Sequence, residues 1–247
     1  MIYFLLPVFN EAENISRVIE KLAQIAAGGR FDYTVVAVDD ASTDGSAAAL
    51  SALSRKYPIR VIRHAANQGP GGAFRTGFED ILKIGQPADA VITMDADNTH
   101  STKTVGMILG ALDEGYELVI ASVFAPGGMM IGVPFLRYVL TMGCNFIYRI
   151  IFPVRGIREY TGFYRGYSVG CLQEAQRRFG GPLITRPGFG SMAELLVRLR
   201  QVPVFMKEVP MIVRYDQKGG KSKMRIMSTI SEHLHIIASN AFRRRIL

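Results

Sequence analysis

Residues 33–64, YTVVAVDDASTDGSAAALSALSRKYPIRVIRH, decide the fold. The opening YTVVAVDD is a β-branched apolar run that stops at Asp39 and Asp40. The alanine- and leucine-rich stretch up to Tyr57 reads as a helix, and IRVIRH returns to strand composition. Strand, helix and strand joined this closely form a βαβ unit, whose two strands must run parallel.

Working outward, the same alternation continues. Upstream, IYFLLPV is a short apolar strand, and NEAENISRVIEKLAQIA places apolar residues at helical spacing. Downstream, the glycine-rich NQGPGG leads into the helix AFRTGFEDILKIG. DAVITMDAD reads as a fourth strand, TVGMILGALDEGY as a helix and ELVIAS as a strand. Four βα units in succession predict an α/β fold with a parallel, doubly wound sheet. In such sheets ligands sit beyond the carboxyl ends of the strands. Right-handed crossovers then gather Pro7–Glu11, Asp39–Asp40, Asn67–Gly72 and Asp95–Asp97 at one edge, as a carboxylate-lined cleft. GFYRGYS, GGPLITRPGFG and KEVPMIVRY are expected to add strands and covering loops in the less regular second half.

Composition narrows the partners. The 247 residues carry a formal charge of +8, and 49% are apolar, enough for a sizeable core. Two cysteines, Cys144 and Cys171, make neither a disulfide framework nor a metal spacing, which fits a reduced, cytoplasmic setting. Excess positive charge favours phosphates and anionic lipid. No basic tract interleaved with aromatics is present, so nucleic acid is not expected as a partner. The start, MIYFLLPVFNEAEN, reads as a strand and not as a signal peptide. The uncharged stretch Leu118–Leu136 is interrupted by Pro126, Gly127, Gly128, Gly132 and Pro134, which argues against a spanning helix. RYVLTMGCNFIYRIIF carries Arg137 and Arg149 within an apolar pattern and reads as interfacial or core.

Carboxylates crowded at one cleft repel each other unless a cation neutralises them. Mg²⁺ or Mn²⁺ takes hard oxygen ligands, with phosphate oxygens completing the shell. In an extended segment Asp95 and Asp97 project to the same side, so the pair is expected to clamp a metal on a diphosphate. Competing motifs fail. Asp40–Gly45 resembles a calcium loop, but its twelfth position is Ser51 and no helix enters it. Asn67–Gly72 lacks the Gly-Lys-Ser/Thr ending of a P-loop.

PVFNEAEN, VDDASTDGS, NQGPGGAFRTGF and MDADNTH occur in the order and spacing of the inverting family 2 glycosyltransferases of GT-A fold. REYTGFYRGY and EVPMIVRYDQKGGKSKM resemble the dolichol-phosphate mannosyltransferase, or polyprenyl-phosphate glycosyltransferase, branch of that family. The resemblance implies that Pro7, Phe9, Glu11, Val38 and Asp40 hold the nucleoside of a nucleotide-sugar. It implies that Asp95 and Ala96 touch the donor, that Asp95, Asp97 and Thr99 surround the metal, and that Lys223 lies near the donor phosphates. Arg137 and Thr141 match residues that hold a lipid phosphate, while Val123 stands where the branch carries an arginine. Glu194 is the candidate base should the acceptor be a hydroxyl, and otherwise a carboxylate at a helix start.

The expected activity is metal-dependent, inverting transfer of a hexose, mannose or glucose, from a nucleotide-diphosphate sugar to a polyprenyl phosphate. A hydroxyl acceptor and a non-catalytic nucleotide-sugar-binding subunit are the alternatives. Residues 1–225 make the GT-A domain, and 226–247 a C-terminal amphipathic helix with a basic end. Its apolar face, Ile226, Met227, Ile230, Leu234, Ile237 and Ala241, either packs on the core or meets a membrane, with Arg243, Arg244 and Arg245 at the headgroups. The expected setting is peripheral, on the cytoplasmic face of a membrane, with a membrane-anchoring partner protein as a further expectation.

Overall fold

A computed structural model of the chain describes residues 1–101, 103–217 and 226–240. The first half is the expected alternation: β1 (Ile2–Val8), α1 (Ile15–Gly29), β2 (Tyr33–Asp39), α2 (Ser46–Leu53), β3 (Ile59–Arg63), α3 (Gly69–Ile84), β4 (Ala90–Thr93) and α4 (Lys103–Asp113). The second half adds β5 (Leu118–Ser122), β6 (Met129–Ile131), α5 (Phe135–Ile151), β7 (Arg165–Ser168), α6 (Val169–Phe179) and α7 (Ser191–Leu199). It ends with β8 (Met206–Pro210), β9 (Ile212–Arg214) and α8 (Ile226–Asn240).

Seven strands form one sheet in the order β3-β2-β1-β4-β7-β5-β8. β3, β2, β1 and β4 are parallel; β7 is antiparallel to both β4 and β5, and β5 pairs parallel with β8. The sheet is therefore mixed and mostly parallel. Alternate residues of the central strands feed two cores. Leu5, Val36 and Val38 pack with Phe74 of α3, Leu172 of α6 and Leu195 of α7. Phe4, Leu6, Val35 and Ala37 pack with Ile19 of α1, Leu50 of α2 and Ile108 of α4. A strand buried on both faces reads as a continuous apolar run, which is what made β1 and β2 legible.

Asp95 and Asp97 lie just past the end of β4 at Thr93, as expected, while two expectations change in detail. The predicted strand over KEVPMIVRY splits at Met211: β8 completes the main sheet, whereas β9 leaves it to pair with β6. Finally, α8 packs through one edge of its apolar face: Ile236 and Asn240 are buried and Ile237 is partly buried against the core, while Ile226, Met227, Ile230 and Leu234 are exposed. Among the described residues no helix is long and apolar enough to cross a membrane.

Candidate active site

The carboxyl ends of β1, β2 and β4 are each followed by a non-glycine residue in the left-handed region: Asn10 (φ 54°), Ala41 (φ 59°) and Asn98 (φ 62°). Such residues are uncommon and cluster where the surrounding structure imposes the backbone. Here the imposing contacts run between loops. The Asn10 carboxamide oxygen accepts the backbone N–H groups of Thr43 (2.8 Å) and Asp44 (3.3 Å), and the Asn10 N–H donates to Ser42 Oγ (3.0 Å). Glu11 N–H donates to Ser46 Oγ at 2.7 Å, and the Glu11 carboxylate accepts from Asn14 Nδ2. The loops after β1 and β2 thus form one unit, with Pro7, Phe9 and Glu11 half-buried beside it. Val38 is fully buried in the core, so its side chain is packing.

Asp40 is buried and faces inward. Its carboxylate accepts the N–H groups of Gln68 and Gly69, each at 2.8 Å, and lies 2.6 Å from His64 Nδ1. His64 Nε2 in turn lies 2.9 Å from Thr76 Oγ1. A carboxylate at a helix N-terminus satisfies orphan amides and opposes the dipole, so Asp40 caps α3 from the loop that follows β2. The next amides, of Gly71 and Gly72, donate to the Pro187 carbonyl. A side chain at Gly71 would collide with the Arg186 and Pro187 backbone, which explains the glycines without any phosphate cradle.

Beyond β4 the chain bends. Asp95 remains 35% exposed, whereas Asp97 is 7% exposed. The Asp97 carboxylate accepts from Thr99 Oγ1 at 2.6 Å and from the Thr99 N–H at 3.2 Å. His100 folds back: its Nδ1 accepts the Asp95 N–H (3.4 Å), its Nε2 lies 3.7 Å from Asp95 Oδ2, and its ring stacks on Tyr164. From the other side Lys21 of α1 donates to the Asn98 side-chain oxygen at 2.6 Å. Ala96 is buried between the two acids. Among the described residues no group of three or more His, Cys, Asp or Glu could by itself hold a metal. Two carboxylates with a hydroxyl beside them fit a hard cation whose shell is completed by diphosphate oxygens, and do not fit an all-protein cage.

The chain after β8 crosses this loop as a strap. Val213 bridges His100, and Arg214 N–H donates to the Thr99 carbonyl at 3.2 Å. Tyr215, the next residue, reaches α5: Arg137 Nη1 donates to its hydroxyl at 3.3 Å, and the guanidinium carbon lies 5.1 Å from its ring centroid. Arg137, Thr141 and Asn145 recur at four-residue spacing along one side of α5. Asn145 is buried. It donates to the Thr141 carbonyl (2.9 Å) and Thr161 Oγ1 (3.1 Å), and accepts the Tyr160 N–H (2.6 Å).

The 159–165 segment contains two residues whose work the sequence reading missed. Arg165 is fully buried and donates to the carbonyls of Tyr160, Gly162 and Met192. Glu159 accepts from the Thr161 N–H and hydroxyl and from the Gly162 N–H. Burial raises the Glu159 pKa, opposed by those hydrogen bonds and by Arg165. Their signal in the sequence was the conjunction of an acid and an arginine around Tyr-Thr-Gly-Phe-Tyr.

Glu194, in the first turn of α7, accepts the N–H groups of Thr185 and Arg186 at 2.9 Å and the Thr185 hydroxyl. With Arg186, Arg198, Ile236 and Asn240 it lines a cavity of ≈ 170 Å³ between α7 and α8. Val123 is half-buried against the core. Lys223 and Arg243–Arg245 lie outside the described residues.

A mostly parallel sheet with an acidic pair just past a central strand, and a strap from the far edge folded over that pair, defines a nucleotide-diphospho-sugar transferase of GT-A fold. The chain belongs to glycosyl transferase family 2, which matches residues 3–174, and is a glycosyltransferase. Over 94% of its length it is 28% identical to the dolichol-phosphate mannosyltransferase of Pyrococcus furiosus, and it spans 61% of that longer protein. It is also 28% identical, over 98% of its length, to the polyprenol monophosphomannose synthase of Mycolicibacterium smegmatis, of which it spans 87%. Among solved structures it resembles glucosyl-3-phosphoglycerate synthase from Mycobacterium tuberculosis in complex with Mn²⁺, UDP and phosphoglyceric acid. That likeness has a TM-score of 0.69 at 18% identity and covers 100% of this chain and 80% of the other.

Proposed function

We propose that this glycosyltransferase moves a hexose, mannose or glucose, from a nucleotide-diphosphate sugar to a polyprenyl phosphate, with Mg²⁺ or Mn²⁺ held by Asp95 and Asp97. The observation that carries the reading is α5. Its exposed surface is largely apolar, with Phe135 81% and Ile150 64% exposed, while Arg137, Thr141 and Asn145 share another side. An acceptor with an apolar tail and an anionic head fits such a helix, with Arg137 and Thr141 at the head. The names of the Pyrococcus and Mycolicibacterium relatives support the same acceptor class.

In this reading an acceptor phosphate oxygen attacks the anomeric carbon, the bond from that carbon to the donor phosphate oxygen breaks, and the nucleoside diphosphate leaves with the electron pair. The configuration inverts. The attacking oxygen is already anionic, so no general base is required. Arg137 and Thr141 hold the acceptor against the negative donor, and Thr99 fixes the Asp97 carboxylate. Bound metal would supply charge neutralisation at the departing diphosphate. A hydroxyl acceptor would need a base, and the Glu194 carboxylate is instead engaged by the Thr185–Arg186 loop. Lys223 completes the donor side by resemblance.

The enzyme in this reading works peripherally on the cytoplasmic face of a membrane, where an anchoring partner protein would strengthen attachment. The test is transfer of label from GDP-mannose, UDP-glucose or UDP-N-acetylglucosamine into polyprenyl phosphate in vesicles with Mn²⁺. Lipid-soluble label from one donor, lost in Asp97→Ala, is expected. Intact nucleotide-sugar binding with no labelled lipid from any donor would overturn the acceptor class.

A further inference from the structure

We propose that Tyr215 is a positioning residue of the transfer site, orienting the Arg137 guanidinium for an anionic acceptor from a strap anchored on the Asp95–Asp97 loop. The proposal rests on the reading of Arg137 as the acceptor-phosphate residue.

Two tethers place Tyr215. On one side the strap is fixed to the acidic loop: Val213 bridges His100, and Arg214 N–H donates to the carbonyl of Thr99, whose hydroxyl holds Asp97. On the other side β9 pairs with β6, matching Ile131 with Arg214, and β6 leads within a few residues into α5. Gly132, at φ 72°, secures this crossing, because a β-carbon there would lie 3.1 Å from the Asp216 nitrogen. The strap register is therefore set before Tyr215 meets Arg137.

A guanidinium is a rigid fork of five N–H donors. Tyr215 covers one face with its ring and accepts one N–H with its hydroxyl, which fixes both the tilt and the rotation of the fork. An arginine side chain gives up rotamer freedom when it is fixed on a ligand. Tyr215 removes part of that cost in advance. It also makes the acceptor cation answer to the loop that bears Asp97, although no residue of the strap need touch the acceptor itself.

The experiment reads binding of a short-chain prenyl phosphate to the full chain with Mn²⁺ and nucleoside diphosphate present, so turnover is not required. The variants are Tyr215→Leu, Tyr215→Phe and Arg137→Ala. Tyr215→Leu is expected to weaken prenyl-phosphate affinity about tenfold, Tyr215→Phe less because the ring remains, with nucleotide affinity within about twofold of the parent in both. In turnover the same variant raises the acceptor KM and leaves the donor KM unchanged. Parental prenyl-phosphate affinity in Tyr215→Leu, alongside loss in Arg137→Ala, overturns the role of Tyr215 and leaves the acceptor reading standing. Parental affinity in Arg137→Ala overturns the acceptor reading and this proposal with it. Because a strap that simply unfolds would also lose nucleotide binding, a parallel fall in both affinities counts against positioning.

Discussion

At the scale of single residues, Thr99 is where sequence and structure combine most usefully. In the resembling branch its position is one often used for the metal, and in the fold its hydroxyl is committed to Asp97 at 2.6 Å. A group that orients a metal ligand usually changes metal affinity by about 10–100-fold when removed. Thr99→Val is therefore expected to raise the Mn²⁺ concentration for half-maximal transfer within that range, and Thr99→Ser to restore most of it. A metal titration of the transfer rate checks this; an unchanged requirement in Thr99→Val would leave Asp97 oriented by something else. The place of the acidic pair was legible, because an apolar run that stops at carboxylates marks the end of a buried strand. The duties of Asp40 and Arg165 were not legible, since Asp40 is defined by the distant Gln68 and Gly69 amides and Arg165 ties its own loop to the distant Met192 carbonyl, whereas Glu194 does sit at the helix start that the sequence suggested. Composition shows that a charge is present, not which loop will reach it.

At the scale of elements, α8 shows what periodicity can and cannot establish. The helix was legible, but its packing face only in part. Helical spacing identifies Ile226, Met227, Ile230, Leu234, Ile237 and Ala241 as one apolar stripe, yet of these Ile237 alone among the described residues packs on the core, and the helix docks mainly through Glu232, His233, Ile236 and Asn240. The Glu232 carboxylate accepts the Gly190 N–H at 3.1 Å, and His233 Nδ1 lies 2.9 Å from the Tyr148 hydroxyl of α5. Burial lowers the His233 pKa from 6.5 to about 4. A histidine with a depressed folded-state pKa takes up its proton more readily in the unfolded chain, so stability falls as pH drops through the interval between the two values. That interval runs from pH 6.5 down to about pH 4, with nothing lost above it. Between pH 7 and pH 5 this one group should cost about 2 kcal/mol. Urea unfolding at both values should show that loss in the parent and not in His233→Gln, after subtraction of the pH dependence the two share. Equal losses would mean that α8 opens before His233 protonates. Such opening would expose Tyr148, whose own pKa burial raises.

At the scale of the whole molecule, the half of the sheet built from successive βα units was legible, because each unit pairs neighbours in sequence. The other half was not: antiparallel β7 between β4 and β5, and the parting of β8 from β9, depend on partners far along the chain. What the assembled molecule adds is a surface. α5 and α8 are joined at Tyr148 and His233, and both leave apolar side chains outward, among them Phe146 and Ile150 on α5 and Met227 and Leu234 on α8. Several large apolar side chains left exposed on two joined helices favour association with an apolar partner. Insertion of a phenylalanine or isoleucine into the acyl boundary is worth about 1.5–3 kcal/mol, so two such residues can decide whether a protein partitions. The formal charge of +8 adds an attraction to anionic headgroups that salt screens, whereas the apolar term is not screened. The protein is thus expected to sediment with anionic vesicles at low salt and to be retained in part at high salt. Phe146→Glu with Ile150→Glu should reduce the vesicle-bound fraction about 100-fold or more, leaving Tm unchanged because neither side chain is buried. Transfer to vesicle-borne acceptor should be lost in that double variant while nucleotide binding survives. Parental vesicle binding by the double variant would assign the apolar face of α5 to a protein partner instead, and the basic charge alone would then account for attachment.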